Sequence, residues 1–287
     1  MGIGDQSVAM FDHPAFQRAK LRRVRYFLAW NAMDDDALRL RARAFVIRAR
    51  ADDFRVLLHL STDDYRSKQA RRPSVREYRR QVRRLVRYFR ALGVREFGAW
   101  NEVNHSSQPT WDSPNHAALF FREMYRAVKP RCHTCGVVAL DVLDQTGVER
   151  YMRRFYRRLS PTYRRRATVV GIHNYGDVNR RRTRFTRSII RQAHHYNAHT
   201  RFWLTETGGI VKFGSSFPYS PYRAKLRFHQ MFKITNAYRR SGLERLYIYQ
   251  WTGSPRGVRF DAGLTNPDGS VRPAYAYIRS KLSGYLR

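Results

Sequence analysis

The sequence predicts a single-domain (β/α)8 TIM barrel, α/β in class, spanning residues 1–287. Three observations carry this. Short apolar segments alternate with amphipathic ones along the whole chain. There are eight of the apolar segments, each followed by a helix or a helical turn. Acidic residues, scarce overall, recur just past the apolar segments, where a barrel gathers its functional rim. A doubly wound open sheet is the other arrangement for such alternation, and it usually carries a glycine-rich phosphate loop after its first strand. "GIGDQS" has two glycines but no third at the required place.

The expected strands are residues 2–5, 24–30, 54–60, 94–100, 136–140, 168–174, 201–205 and 246–250. The helices between them are readable from period and caps. Leu38, Ala42, Phe45 and Ala49 mark one. Ser74 and Glu77 form a capping box, in which each side chain satisfies the other's free backbone N–H. Val75, Tyr78, Val82, Leu85, Phe89 and Leu92 then make one apolar stripe. Gly93 stops that helix because it accepts left-handed backbone angles. Ser113-Pro114 opens the next, where the missing proline N–H does no harm. Ala224, Phe228, Met231, Thr235 and Tyr238 mark a later one.

Hydrophobic residues make up 43% of the chain, enough for a packed core, which excludes a disordered protein. No apolar run reaches the roughly 18 residues that span a bilayer. The formal net charge is +34, almost all from arginine. Such a charge favours non-specific attraction to nucleic acid or other polyanions and says little about fold. The runs "YRRQVRRLVRYFR", "RYMRRFYRRL" and "NRRRTRFTR" place Arg between core-facing helical positions. They read as a solvated outer surface, with a polyanion-binding surface as the alternative. Residues 1–6 lead straight into the first strand. The expectation is an exported monomer whose leader is absent from this chain, with a cytoplasmic one as the alternative.

Cys132 and Cys135 stand in "RCHTCG". A zinc site needs a second ligand pair, and none exists at motif spacing. A redox pair usually opens a helix, whereas this one precedes the apolar "GVVAL". A local disulfide or two free thiols is the expectation, ahead of a metal or redox role.

Only 22 residues are acidic, so their positions carry information. Asp5, Asp63, Asp64, Glu102, Asp141, Asp144, Asp177 and Glu206 all close or follow predicted strands, which predicts a locally acidic rim. Glu102 in "AWNEVNH" and Glu206 in "FWLTETGG" would face each other there. Two facing carboxylates are what glycoside cleavage requires: one protonates the leaving oxygen, the other attacks the anomeric carbon.

Around these residues the chain resembles clan A of the glycoside hydrolases, retaining enzymes built on a TIM barrel, along nearly its whole length. In that clan an Asn-Glu pair ends strand four and supplies the acid/base, here Asn101-Glu102. A Glu ending strand seven is the nucleophile, here Glu206. The family 5 pattern adds an Arg in strand two, similar to Arg25, and a His in strand three, similar to His59. It also adds a His-x-Tyr, similar to His173 and Tyr175, and a Trp ending strand eight, similar to Trp251. Family 39 shares much of this. The usual Asn-Glu-Pro has become Asn101-Glu102-Val103. The resemblance implies a retaining β-glycosidase acting on an oligo- or polysaccharide, without cofactor or metal.

Physical chemistry assigns compatible roles. Asn101 can donate to the sugar 2-hydroxyl, Tyr175 and Arg25 can hold Glu206 as an anion, and Glu102 needs a raised pKa to start protonated. Trp251 offers a flat face to a sugar. Trp30, Trp100 and Trp111 are platform or packing residues, and Tyr219 and Tyr222 could line a cleft. Trp203, an odd number of positions from Glu206, should face the helices. The competing reading is a non-catalytic basic barrel that binds nucleic acid or an acidic polysaccharide, although no RNA-binding motif is present.

Overall fold

A computed structural model describes residues 1–65 and 70–285. In chain order it runs β1 (Gly2–Gly4), α1 (Pro14–Arg18), β2 (Arg23–Ala29), α2 (Asp36–Ala51), β3 (Arg55–Ser61), α3 (Val75–Ala91), β4 (Glu96–Gly98) and α4 (Pro114–Val128). Then follow β5 (Gly136–Val138), β6 (Leu140–Leu143), α5 (Val148–Arg158), α6 (Pro161–Arg166), β7 (Val169–His173), α7 (Tyr175–Asn179) and α8 (Arg184–Tyr196). The chain ends with β8 (Arg201–Thr207), β9 (Lys212–Phe213), α9 (Pro221–Tyr238), β10 (Leu243–Tyr249), β11 (Phe260–Asp261) and α10 (Pro273–Lys281).

The main sheet is parallel throughout, in the order β5-β4-β3-β2-β1-β10-β8-β7-β6. β5 and β6 are two halves of one strand, interrupted at Ala139. β4 pairs with the first half and β7 with the second, so the ring closes as an eight-position barrel. β9 and β11 form a small antiparallel pair outside it.

The helices form as their caps and stripes dictate. Ser74 accepts from the Glu77 N–H, and the Glu77 carboxylate accepts from the Ser74 N–H at 2.9 Å. Tyr78, Val82, Leu85 and Phe89 are buried against the sheet, while Arg83, Arg84 and Arg87 are exposed. α5 repeats this, with Phe155 and Tyr156 buried and Arg153, Arg154, Arg157 and Arg158 exposed. Two-in, two-out spacing keeps the guanidinium groups in water while their stems cover apolar area. Cys132 and Cys135 are joined as a disulfide in the turn between α4 and β5.

The barrel interior is filled in layers. Leu57, Val138, Val169, Trp203 and Tyr247 form a cluster of their own, separate from the shell between sheet and helices. Beneath it, Glu96 accepts from Arg245 at 2.6 Å, and Arg245 lies 3.9 Å from the Trp203 ring centre. Trp203 therefore points into the barrel and not towards the helices. Strict alternation fails because β8 carries a bulge: Trp203 pairs with Gly171 and Glu206 with His173, so three steps on β8 match two on β7. Trp203 and Glu206 both face inward as a result.

Above the apolar layer the interior turns polar, with Arg25, His59, Asp141 and His173 all buried. Two glycines make room for them. A Cβ at Gly98 would collide with the His59 ring, and one at Gly171 with the Asp141 carboxylate.

Candidate active site

Glu102 follows β4 and Glu206 lies within β8, so both stand at the C-terminal mouth of the barrel. One carboxylate oxygen of each, together with a ring nitrogen of His173, lie within 4.8 Å of one another. Glu102 holds a left-handed backbone conformation, with φ of 45°, rare for a residue with a side chain. Such strain persists only where surrounding contacts over-determine it. Here the flanking backbone is tied down on both sides: Asn101 N–H donates to Leu60 at 2.7 Å and Val103 N–H to Asp141 at 3.0 Å.

Glu206 is gripped from two directions. Arg25 donates to Oε1 at 2.7 Å and the Tyr175 hydroxyl donates to Oε2 at 3.2 Å. Arg25 also donates to the Asn101 side-chain oxygen and, at 3.2 Å, to Nδ1 of His59. With its oxygen taken by Arg25, Asn101 has its amide N–H groups left as donors to the cleft it lines. Because His59 Nδ1 accepts, its proton sits on Nε2, 3.7 Å from Asp141.

His173 joins the two carboxylates to the buried interior. Nδ1 lies 3.0 Å from Glu102 Oε1 and 3.5 Å from Glu206 Oε2, and Nε2 lies 3.0 Å from Asp141 Oδ2. A ring flanked by carboxylates at both nitrogens is an imidazolium. Burial alone would lower its pKa, but Asp141 and Glu206 raise it to about 10. Burial raises Asp141, yet His173, His59 and Arg25 outweigh it and hold that carboxyl far below the usual range. Burial drives His59 down to about 3, so it is neutral.

Glu102 and Glu206 titrate as a pair. Burial raises Glu102, but the hydrogen bond and charge of His173 win and lower it. Burial also raises Glu206, and there it outweighs the pull of His173 and Arg25. This reverses the expected polarity of the free site, in which Glu102 was to be the raised one. The cause is His173, whose Nδ1 is nearer Glu102 than Glu206 by half an ångström. On distance alone Glu102, His173 and Glu206 form a set that could hold a cation, but Arg25 and His173 already supply positive charge there.

The pair opens into a cavity of about 590 Å³, walled by Phe27, Tyr65, Phe185, Phe213, Tyr249 and Phe260 among others. The sequence-predicted residues distribute unevenly around it. Asn101, Glu102, Tyr175 and Glu206 line it. Arg25, His59 and His173 lie beneath its floor. Trp251 is buried against His13, Phe16 and Tyr275, away from the lining, and Tyr249 of β10 occupies the wall instead. Trp30 is buried, and Trp100 is buried against Tyr78 and Phe120. Trp111, Tyr219 and Tyr222 lie outside the lining, and Trp111 and Tyr222 are exposed.

The rim is not simply acidic. Asp5 accepts from Thr252, and Asp144 from the Gly176 and Asp177 N–H groups. Asp177 accepts from the Phe185 and Thr186 N–H groups. These carboxylates pin loops to one another. Arg180, Arg182 and Arg184, from the third arginine run, line the cavity, so that run does not lie wholly on the outer surface as its helical spacing suggests. Asp141 is the residue that position past a strand singled out without revealing its place: it points inward, at the centre of the buried charge network.

No protein-family model and no curated protein matches the sequence. Solved structures match it closely in fold. A glucosidase from Croceicoccus marinus superposes with a TM-score of 0.73 at 15% identity, over 98% of this chain and 66% of its own. A GH39 β-xylosidase from Caulobacter crescentus gives 0.70 at 15%, over 99% and 70%. The exo-β-1,4-mannosidase Op5Man5 from Opitutaceae bacterium strain TAV5 gives 0.70 at 14%, and this chain spans 59% of its length. At such identities the likeness establishes the TIM-barrel fold.

Proposed function

We propose that the chain is a retaining β-glycosidase, with Glu206 as nucleophile and Glu102 as acid/base. The observation that carries this is the approach of the two carboxylates at the barrel mouth, within 4.8 Å at their nearest oxygens, in a cavity of sugar-accommodating size. Retaining enzymes hold their carboxyl groups about 5–5.5 Å apart, while inverting ones leave about 6.5–9.5 Å for a water. The fold shared with a glucosidase, a xylosidase and a mannosidase supports the same reading.

In this mechanism Glu206, oriented by Arg25 and Tyr175, attacks the anomeric carbon while Glu102 gives its proton to the departing oxygen. Water then displaces the glycosyl ester with Glu102 as base. The pair must hold one proton, and it must sit on Glu102 when substrate is bound. A small rotation of His173 moves its Nδ1–H from Glu102 towards Glu206, which stabilises the nucleophile as an anion and frees Glu102 to take the proton. Asn101, anchored by Arg25, offers its amide to the 2-hydroxyl, a bond that strengthens in the transition state.

The test is release of reducing sugar from a panel of β-linked glycans and aryl β-glycosides, with Glu206→Gln as control. Turnover by the wild type and not by the variant is expected. Salt-sensitive RNA binding with no turnover on any substrate would favour the basic-barrel reading, for which the exposed arginines of α3 and α5 are the relevant surface. The Cys132–Cys135 disulfide supports an oxidising, exported setting as part of this proposal.

A further inference from the structure

Three arginines, Arg180 and Arg182 in the α7–α8 connection and Arg184 at the start of α8, stand apart from all the others. Arg180, Arg182 and Arg184 line the same cavity as Glu102 and Glu206, at its open edge, where Arg182 is half-buried and Arg180 and Arg184 are exposed; their neighbours Arg181 and Arg187, also exposed, do not line it. Each is laid against an aromatic ring. Arg180 sits 5.5 Å from the Phe217 ring centre, and Arg182 and Arg184 sit 4.9 and 5.4 Å from that of Phe185. Stacking of this kind holds a guanidinium extended and leaves its N–H edge free. Arg182 is 3.4 Å from Asp177, but among the described residues neither Arg180 nor Arg184 forms an ion pair.

The acidic residues of the cavity do not answer them. Asp144 is committed to the Gly176 and Asp177 backbone, and Glu102 and Glu206 are held by His173 and Arg25. Two guanidinium groups without an ion-pair partner therefore stand at the open edge of an aromatic-walled cavity. Arginine's fork matches a carboxylate or sulfate with two parallel N–H···O bonds.

We propose that the substrate is an acidic glycan, and that a sugar unit lying against the α7–α8 connection carries a carboxylate or sulfate read by Arg180 and Arg184. This rests on the glycosidase reading above and names its substrate class.

The experiment compares kcat/KM on matched oligosaccharides: a uronate-bearing one and its carboxyl-reduced form, and a sulfated one and its desulfated form. Wild type is expected to favour the acidic member of at least one pair by roughly tenfold to a hundredfold, the worth of a charge-assisted hydrogen bond. Whichever pair shows the preference identifies the anion. The Arg180→Gln/Arg184→Gln double variant should bring the acidic-to-neutral ratio close to one. Arg181→Gln, which removes equal charge per residue outside the cavity, should leave that ratio in place. The Arg181 control separates local recognition from the attraction of a +34 protein for any anion. Equal turnover of acidic and neutral members, or a preference that Arg181→Gln removes as fully as the double variant, overturns the acidic-substrate inference and leaves the glycosidase standing. Absence of turnover on every glycan, with no calorimetric binding of the same oligosaccharides to Glu206→Gln, overturns the glycosidase reading and the inference with it.

Discussion

His173 approaches Glu102 to 3.0 Å through Nδ1 while its other nitrogen faces Asp141, also at 3.0 Å. The ring links the mouth carboxylates to the charged interior through a movable proton. Its partners raise its pKa to about 10, so it stays doubly protonated across the neutral range. Nitrogen and carbon chemical shifts of labelled His173 at pH 8 should be those of an imidazolium. Asp141→Asn removes the strongest of the raising influences and should bring the titration down towards the ordinary value near 6.5. A neutral tautomer in the wild type at pH 7 would reject the charge network as drawn.

The two buried histidines should tilt stability in opposite directions. His59 is held to about 3, while an unfolded imidazole titrates near 6.5. Below about pH 6.5 the unfolded chain takes a proton that the folded one refuses, so His59 lowers stability as pH falls towards 3, by up to about 1.4 kcal/mol per pH unit. His173 is raised. Its contribution is complete below about 6.5 and is lost as pH rises through about 10. Urea unfolding from pH 4.5 to 9 should show a maximum near 6.5. His59→Gln should flatten the acid limb alone, and His173→Gln the alkaline limb alone. A variant that flattens the opposite limb contradicts the assignment.

Gly171 has no room for a methyl group, because Asp141 and Thr205 occupy that volume. Gly171→Ala would push a buried carboxylate off the histidines and arginine that balance it. A loss of about 3 kcal/mol or more is expected, the sum of overpacking and a disturbed buried ion. Chemical denaturation of the purified variant measures it directly, and a change within about 0.5 kcal/mol would show that the interior is looser than drawn.

What was legible in the sequence is what periodicity and strand ends encode. All eight barrel positions lie within a few residues of where apolar runs placed them, since strands buried on both faces must be apolar. Asn101, Glu102, Tyr175 and Glu206 meet at one mouth because strand ends in a barrel converge. What was hidden depends on register. The break at Ala139 splits one strand in two and turns Asp141 inward, and the bulge before Glu206 reverses the parity that was to send Trp203 outward. Trp251 lies two residues past the end of β10, where the chain has already turned its side chain into the helical shell. The cavity arginines come from a helix–helix connection and the first residue of the helix after it, a path no periodic pattern describes.

The two mouth carboxylates should fail differently. In the proposed mechanism Glu206→Ala removes the nucleophile and should abolish turnover on every substrate. Glu102→Ala would remove the proposed proton donor, which an aryl glycoside with a dinitrophenolate leaving group does not need, so the first step should survive. No base then activates water, and the glycosyl ester should accumulate on Glu206. Azide attacks without a base and should restore turnover, giving a β-configured glycosyl azide. Intact-protein mass after reaction of Glu102→Ala with such a glycoside should show one sugar added, mapping to Glu206. An adduct on another residue, or an α-configured azide, would remove Glu206 from the nucleophile role. The retaining scheme would fall with it, because two inversions at the anomeric carbon are what a glycosyl ester on that face requires.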